Sequence, residues 1–118
     1  MTKRARDPQA GWWCMPGGYV DWDETVEECV VRELREEVGL VVNPSDCQLL
    51  GVFSDPQRDT DGRQNIDCCF VIKMGDAQIS PNAEEVVEWQ WFDLHQLPEK
   101  LAFDHGPMVK RFLASATS

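Results

Sequence analysis

Apolar residues recur along this chain with two different periods, and each period predicts an element. Between residues 24 and 38, Val30, Val31, Leu34 and Val38 fall on one arc of a helix, at about 100° per residue, while charged residues fill the rest. Asp23 and Glu24 suit the positive N-terminal end of such a helix, and Gly39 supplies a left-handed stop. The spacing therefore predicts a helix over 24–38. A second helix is predicted over 106–116, with Pro107 in its first turn and Met108, Val109, Phe112 and Leu113 apolar. Strand-like runs lie at 47–53, with Gly51 inside, and at 67–74, which is nearly continuously apolar, as in a strand buried on both faces. Trp89-Gln90-Trp91 reads as a short alternating strand, and 12–20 as strand and turn. Neither a repeat nor a linker divides the chain. Its 118 residues suffice for one core, so a single domain over 1–118 is expected. The order of elements predicts an α/β fold with a mixed sheet flanked by helices.

The first helix also carries the chemistry. Taking Glu33 as the reference direction, Glu36 and Glu37 lie within about 60° of it, so three carboxylates share one side. The apolar stripe occupies the adjoining arc, so the acidic cluster borders the core. Three like charges at helical neighbour distance repel, and a hard divalent cation removes that conflict. Oxygen-only ligation suits Mg²⁺ or Mn²⁺ better than zinc, and Mg²⁺ takes its remaining ligands from water and substrate phosphates. A solvated acidic face is the alternative for such a run. Pro16-Gly17-Gly18 precedes the helix and permits close backbone approach, or else forms an ordinary tight turn. Arg32 has Glu28 as a local ion-pair alternative one turn back.

The spacing goes further. Gly18-x5-Glu24-x7-Arg32-Glu33-Leu34-x-Glu36-Glu37-x-Gly39-Leu40 fixes nine positions, a pattern expected by chance about once in 10⁹ starting points. On these residues the chain resembles the Nudix hydrolases, which use a divalent metal to cleave nucleoside diphosphates linked to another group. The resemblance implies an α/β/α sandwich around a mixed β-sheet. It implies that the Gly17 carbonyl and the Glu33, Glu36 and Glu37 carboxylates ligate the metal. Arg32 would orient a neighbouring glutamate by ion pairing, and Glu24 would support the site. The proton acceptor is Glu33 or Glu85, since many members supply a glutamate from the loop before Trp91. The resemblance covers nearly the whole chain but departs at the beginning. Members usually carry an extra strand or two before the segment matching Lys3–Pro8, so the fold is expected to be shortened at the N-terminus. A chain cut short, a misplaced start codon, or a sheet edge covered by a second subunit in a homodimer would each account for it.

Composition narrows the partners. A net charge of −10 argues against a nucleic-acid backbone or an anionic membrane as the main partner. A pyrophosphate is itself anionic, so metals and local basic residues must invert the field at the site. Five cysteines without a CxxC pair, no signal-like N-terminal segment and no run of transmembrane length fit reduced thiols in a cytoplasmic protein. Adjacent Cys68 and Cys69 suit packing in a strand.

For the substrate, Pro56 lies 16 positions beyond Leu40, and Leu101-Ala102-Phe103-Asp104-His105 follows later. Both resemble the ADP-ribose pyrophosphatase branch, although residues 54–62 have the composition of a polar loop. That branch would hydrolyse ADP-ribose, or a related sugar nucleotide, to AMP and a sugar phosphate. Arg6, Arg58 and Arg63 are candidate phosphate contacts. Trp12 or Trp13, the latter more often structural, and Phe53 are candidates for the base and its surroundings. His95 and His105 read as exposed or helix-end residues. The competing readings are a MutT-type nucleoside triphosphate pyrophosphohydrolase and a non-catalytic nucleotide sensor.

Overall fold

The computed structural model describes residues 1–7, 9–58, 62–75, 78–81 and 86–116. Strand β1 (Thr2–Arg4) runs antiparallel to β2 (Trp13–Cys14) on one side and to β5 (Val86–Trp89) on the other, giving the order β2-β1-β5. The Met1 ammonium donates to the Gln90 carbonyl at 2.8 Å and the Gln90 N–H returns to the Met1 carbonyl at 3.0 Å, extending this pairing past Trp89. Lys3 adds an ion pair to Glu88 at 2.8 Å. The short N-terminal strand is thus interior to its sheet, whose edges among the described residues are β2 and β5.

Strands β3 (Cys47–Phe53) and β4 (Asp67–Ile72) pair antiparallel as a second sheet, with a register irregularity between Leu49 and Gly51. At Gly51 a Cβ would meet the Arg111 guanidinium carbon at 2.8 Å, so the missing side chain lets that arginine lie across the strand. The 67–74 run was expected to be buried on both faces, yet all six residues of β4 are half-buried. Among the described residues β4 pairs only with β3, so its second edge and part of its apolar surface stay uncovered. The parallel component of the expected mixed sheet reduces, among the described residues, to one bridge between Trp13 and Leu101.

Helix α1 spans Val26–Val38 and starts two residues later than the charge pattern suggests. Thr25 is its cap: the Thr25 hydroxyl accepts from the Glu28 N–H at 3.1 Å and the Glu28 carboxylate accepts from the Thr25 N–H at 3.0 Å. This capping box satisfies two end donors at once, and it leaves Glu24 to bond elsewhere. At the other end Gly39 has φ 66°, the left-handed stop expected of it. Leu34 and Val38 join Leu40 and Val42 in a core cluster, against which Val30, Val31, Ile72, Met74 and Ile79 pack. Helix α2 (His105–Ala116) brings Met108, Val109 and Phe112 toward Leu50, Cys69 and Val71 of the β3–β4 pair. All five cysteines are free thiols, with Cys14 and Cys29 buried. Among the described residues, no helix is long and apolar enough to cross a membrane.

Candidate active site

Arg32 organises the carboxylates of α1. Its Nε donates to Glu24 Oε2 at 2.7 Å and its Nη2 to Glu24 Oε1 at 3.1 Å, a two-pronged grip. Its Nη1 donates both to Glu33 Oε1 at 2.7 Å and to Glu36 Oε2 at 3.1 Å, so oxygens from two turns of helix meet on a single nitrogen. Nη2 also donates to the Tyr19 carbonyl at 2.9 Å, and Asp21 lies 3.4 Å from Nε. The Glu28 alternative is not used, because Glu28 is spent on the capping box.

Burial makes this network matter. The Glu24 and Glu33 side chains are each 13% exposed, Arg32 is 19% exposed and Glu36 is 49% exposed. The hydrogen bonds from Arg32, and then the Asp21 N–H, hold the Glu24 carboxyl down at about 2. Arg32 is raised above its ordinary range chiefly by its hydrogen bond to Glu24, against the effect of burial. Cys29 lies beneath, 3.9 Å from both the Gly18 carbonyl and Arg32 Nη2; burial and then the Glu24 charge push its thiol up to about 11.

The glycines preceding α1 fit against this helix. A Cβ on Gly18 would stand 2.5 Å from Glu33 Oε1 and 2.7 Å from Oε2, so only glycine leaves room for the Glu33 carboxylate. The Gly17 N–H donates to Glu37 Oε2 at 3.1 Å, binding the glycine loop to the last turn of α1. The structure thus ties Glu24, Glu33 and Glu36 to Arg32, and ties Glu37 separately to the Gly17 N–H. Carboxylate oxygens are the ligand type that suits a hard divalent cation, but the α1 glutamates do not converge on one point: among the described residues the acidic or imidazole groups that meet within 4.8 Å are Asp67, Asp104 and His105. Glu85 lies outside the described residues.

The expected substrate contacts are dispersed. Phe53, at the end of β3, and Arg58 line a cavity of about 360 Å³ with Ser54, Asp55, Gln57, Asp104 and others. Arg6 is exposed in the bend after β1, Arg63 is exposed beyond residue 61, and neither lines that cavity. Trp13 packs edge-on against Phe92 at 5.0 Å, with the Lys3 ammonium 5.4 Å from its ring, a structural setting. Of the five tryptophans, Trp22, Trp89 and Trp91 are exposed.

Arg58 departs from the phosphate contact expected of it. Its Nε and Nη2 grip Asp104 side-on at 2.8 Å each, and Nη2 also reaches Asp67 at 3.1 Å. With 7% of its side chain exposed, the guanidinium is committed to protein carboxylates. Burial would raise the Asp104 carboxyl, but the Arg58 bonds prevail and lower it. Asp67, Asp104 and His105 place ligand-type atoms within 4.8 Å of one another, and Arg58 supplies the cation at that cluster.

His105 opens α2, the helix-end place expected of it, but without the exposure that the other alternative offered. It is buried, at 8% exposure, and its Nδ1 accepts the Met15 N–H at 2.9 Å, two residues before Gly17. Burial pushes its imidazole down to about 4; the Asp104 charge opposes this, while Arg58 and Arg4 add to it. Only the Ala102–Asp104 context, ninety residues from Met15, places it there, and no local spacing carries that signal. His95 is exposed, as expected.

Comparison with known proteins identifies the family. The NUDIX domain family profile matches residues 1–112, and the chain belongs to that family. An ADP-ribose pyrophosphatase from Methanocaldococcus jannaschii is 42% identical over 115 residues, covering 96% of this chain and 64% of its own length. The uncharacterized Nudix hydrolase YvcI of Bacillus subtilis is 36% identical, over 76% of this chain and 56% of its own. The chain therefore spans less than two thirds of either relative. A MutT NUDIX hydrolase from Burkholderia pseudomallei superposes with a TM-score of 0.78 at 29% identity, covering 93% of this chain and 84% of that one. A MutT/nudix family protein from Enterococcus faecalis reaches the same TM-score at 24% identity, over 99% of this chain and 54% of its own. The fold is the α/β Nudix fold.

Proposed function

We propose that this chain is a metal-dependent Nudix hydrolase that cleaves the pyrophosphate of a nucleoside diphosphate derivative, ADP-ribose or a closely related sugar nucleotide. The observation that carries this reading is the Arg32 grip, which draws Glu33 and Glu36 onto one nitrogen beside the glycine loop that holds Glu37. The ADP-ribose preference is supported by the 42% identical pyrophosphatase and by the Pro56 offset.

Glu33, Glu36, Glu37 and the Gly17 carbonyl are the groups that would hold Mg²⁺ or Mn²⁺. When bound, the cation supplies Lewis acidity and charge neutralisation to the phosphates. The chain's own residues prepare the site. Arg32 fixes the glutamate rotamers before ligand arrives, which lowers the reorganisation needed during reaction. Gly18 lets Glu33 approach the loop. Water adds to one phosphorus, the bridging P–O bond breaks, and AMP and ribose 5-phosphate leave. Glu33 and Glu85 are the candidate acceptors of the water proton, to be separated by the pH–rate profiles of their glutamine variants.

Incubation with Mg²⁺ and a panel of ADP-ribose, NADH, sugar nucleotides and 8-oxo-dGTP tests the proposal. Release of AMP and ribose 5-phosphate from ADP-ribose is expected. Inorganic pyrophosphate from the triphosphate, with ADP-ribose untouched, would establish the MutT-type reading. Saturable nucleotide binding without turnover at high metal would establish a sensor.

A further inference from the structure

Segment 100–105 runs beside Trp13 and Met15 as a short parallel ladder that is completed by a side chain. The Trp13 N–H donates to the Lys100 carbonyl at 2.9 Å, and the Ala102 N–H donates to the Trp13 carbonyl at 2.7 Å. In a regular parallel ladder the next donor, the Met15 N–H, would reach the Ala102 carbonyl. Here that carbonyl instead accepts the His105 N–H at 3.3 Å, because the chain turns at Phe103 into α2. Phe103 has φ 54°, a left-handed conformation costly for an aromatic residue. Three contacts hold it: its N–H donates to Gln9 Oε1 at 3.1 Å, the Arg4 guanidinium lies 4.9 Å from its ring, and its ring lies 5.5 Å from the His105 imidazole. The strained turn therefore delivers His105 Nδ1 to the place that the ladder has vacated.

We propose that His105 is a positioning residue for the metal-binding loop: its Nδ1 replaces the missing ladder acceptor, fixes Met15, and so sets where the Gly17 carbonyl faces the α1 carboxylates. The inference rests on the metal assignment made above. Pro16 has no N–H, so between Met15 and Gly17 the backbone donors are held at His105 and at Glu37. The two clamps lie on either side of one residue and come from opposite elements, α2 and α1. Accepting at Nδ1 requires the neutral imidazole with its proton on Nε2, a state that burial favours. The neighbouring Asp104 is occupied by Arg58, which anchors residues 54–58 to the same turn, so one short segment ties two loops to the start of α2.

Two variants separate acceptor from bulk. His105→Phe keeps a buried ring and removes the acceptor; His105→Asn places an amide oxygen near the Nδ1 position. Mn²⁺ affinity, read from the free-ion electron paramagnetic resonance signal, is expected to weaken about tenfold in the Phe variant, the scale of one lost hydrogen bond. In the same variant kcat falls more than KM rises, and the Met15 amide resonance shifts. The Asn variant recovers affinity to within about threefold of wild type. A folded Phe variant with wild-type Mn²⁺ affinity would overturn the proposal, as would an Asn variant as impaired as Phe. Nitrogen-15 spectra of the wild-type imidazole decide it even if the Phe variant fails to fold: a proton on Nδ1 rejects the proposal. A wild-type chain that binds no Mn²⁺ while its Nδ1 accepts from Met15 would sink the metal assignment and leave the clamp standing.

Discussion

Arg32 and Arg58 each gather carboxylates, and they do so by opposite routes through the chain. Arg32 draws its partners from residues 21–36, within one loop and one helix, and leaves Glu36 half exposed beside the glycine loop. Arg58 draws Asp67 and Asp104 from 9 and 46 residues away and is itself almost wholly buried. The first network aligns carboxylates at an accessible edge, where, on the function proposed above, a further cation would join them. The second is already neutralised by its own arginine, and it pins the β3–β4 connection to the start of α2.

The widest separation between the two networks is expected in turnover. Arg32→Met and Arg58→Met each leave carboxylates without their cation and should each lower stability in denaturant unfolding, Arg58→Met by about 3 kcal/mol because its side chain is 7% exposed. Arg32→Met should in addition lower kcat by about a hundredfold, because the glutamates lose their alignment. Arg58→Met should lose stability with a much smaller change in kcat. Equal losses of kcat in two folded variants would erase the distinction.

The glycines sharpen the contrast at finer scale. Gly18→Ala drives a Cβ into the Glu33 carboxylate and should lower kcat between about ten- and a hundredfold with little change in unfolding midpoint. Gly17→Ala meets nothing within 4 Å and keeps the backbone carbonyl, so its kcat should stay within about threefold of wild type. Steady-state kinetics on the pair reads both. Thr25→Ala removes one half of the capping box and should cost about 1 kcal/mol, visible in thermal unfolding.

Acid should divide the two regions as well. His105 is lowered in the fold from 6.5 to about 4, so the unfolded chain binds more protons in that window, and stability falls as pH drops through it. Glu24 is lowered from 4.5 to about 2, so its contribution is present above 4.5 and is lost as pH falls toward 2. Unfolding midpoints measured against pH should show both slopes. His105→Asn should flatten the upper one and Glu24→Gln the lower.

How much of this was legible in the sequence follows from the same comparison. The α1 stripe and the Gly39 stop depend on residues within one or two helical turns, and β3 at 47–53 on a short apolar run, so spacing predicts them directly; the contacts of Arg32 with Glu24 and of Gly17 with Glu37 span 8 and 20 residues and lie beyond that reach. The start of α1 was placed two residues early because acids read as dipole partners; the Thr25–Glu28 box caps the helix, and Glu24 is taken by Arg32. Burial of β4 was overestimated because an apolar run does not say how many strands will cover it. The ion pairs of Arg58 and the burial of His105 escape the sequence for a related reason. Their partners Asp104 and Met15 come from distant segments, and only the turn at Phe103 brings them within reach.

Whether the α1 glutamates hold a divalent cation, as proposed, is read most directly by Mn²⁺ titration of wild type against Glu36→Gln. Glu36 is half exposed and its replacement should leave the unfolding midpoint nearly unchanged. The account predicts saturable binding to wild type and an affinity at least about a hundredfold weaker in the variant. Superimposable titrations would contradict it.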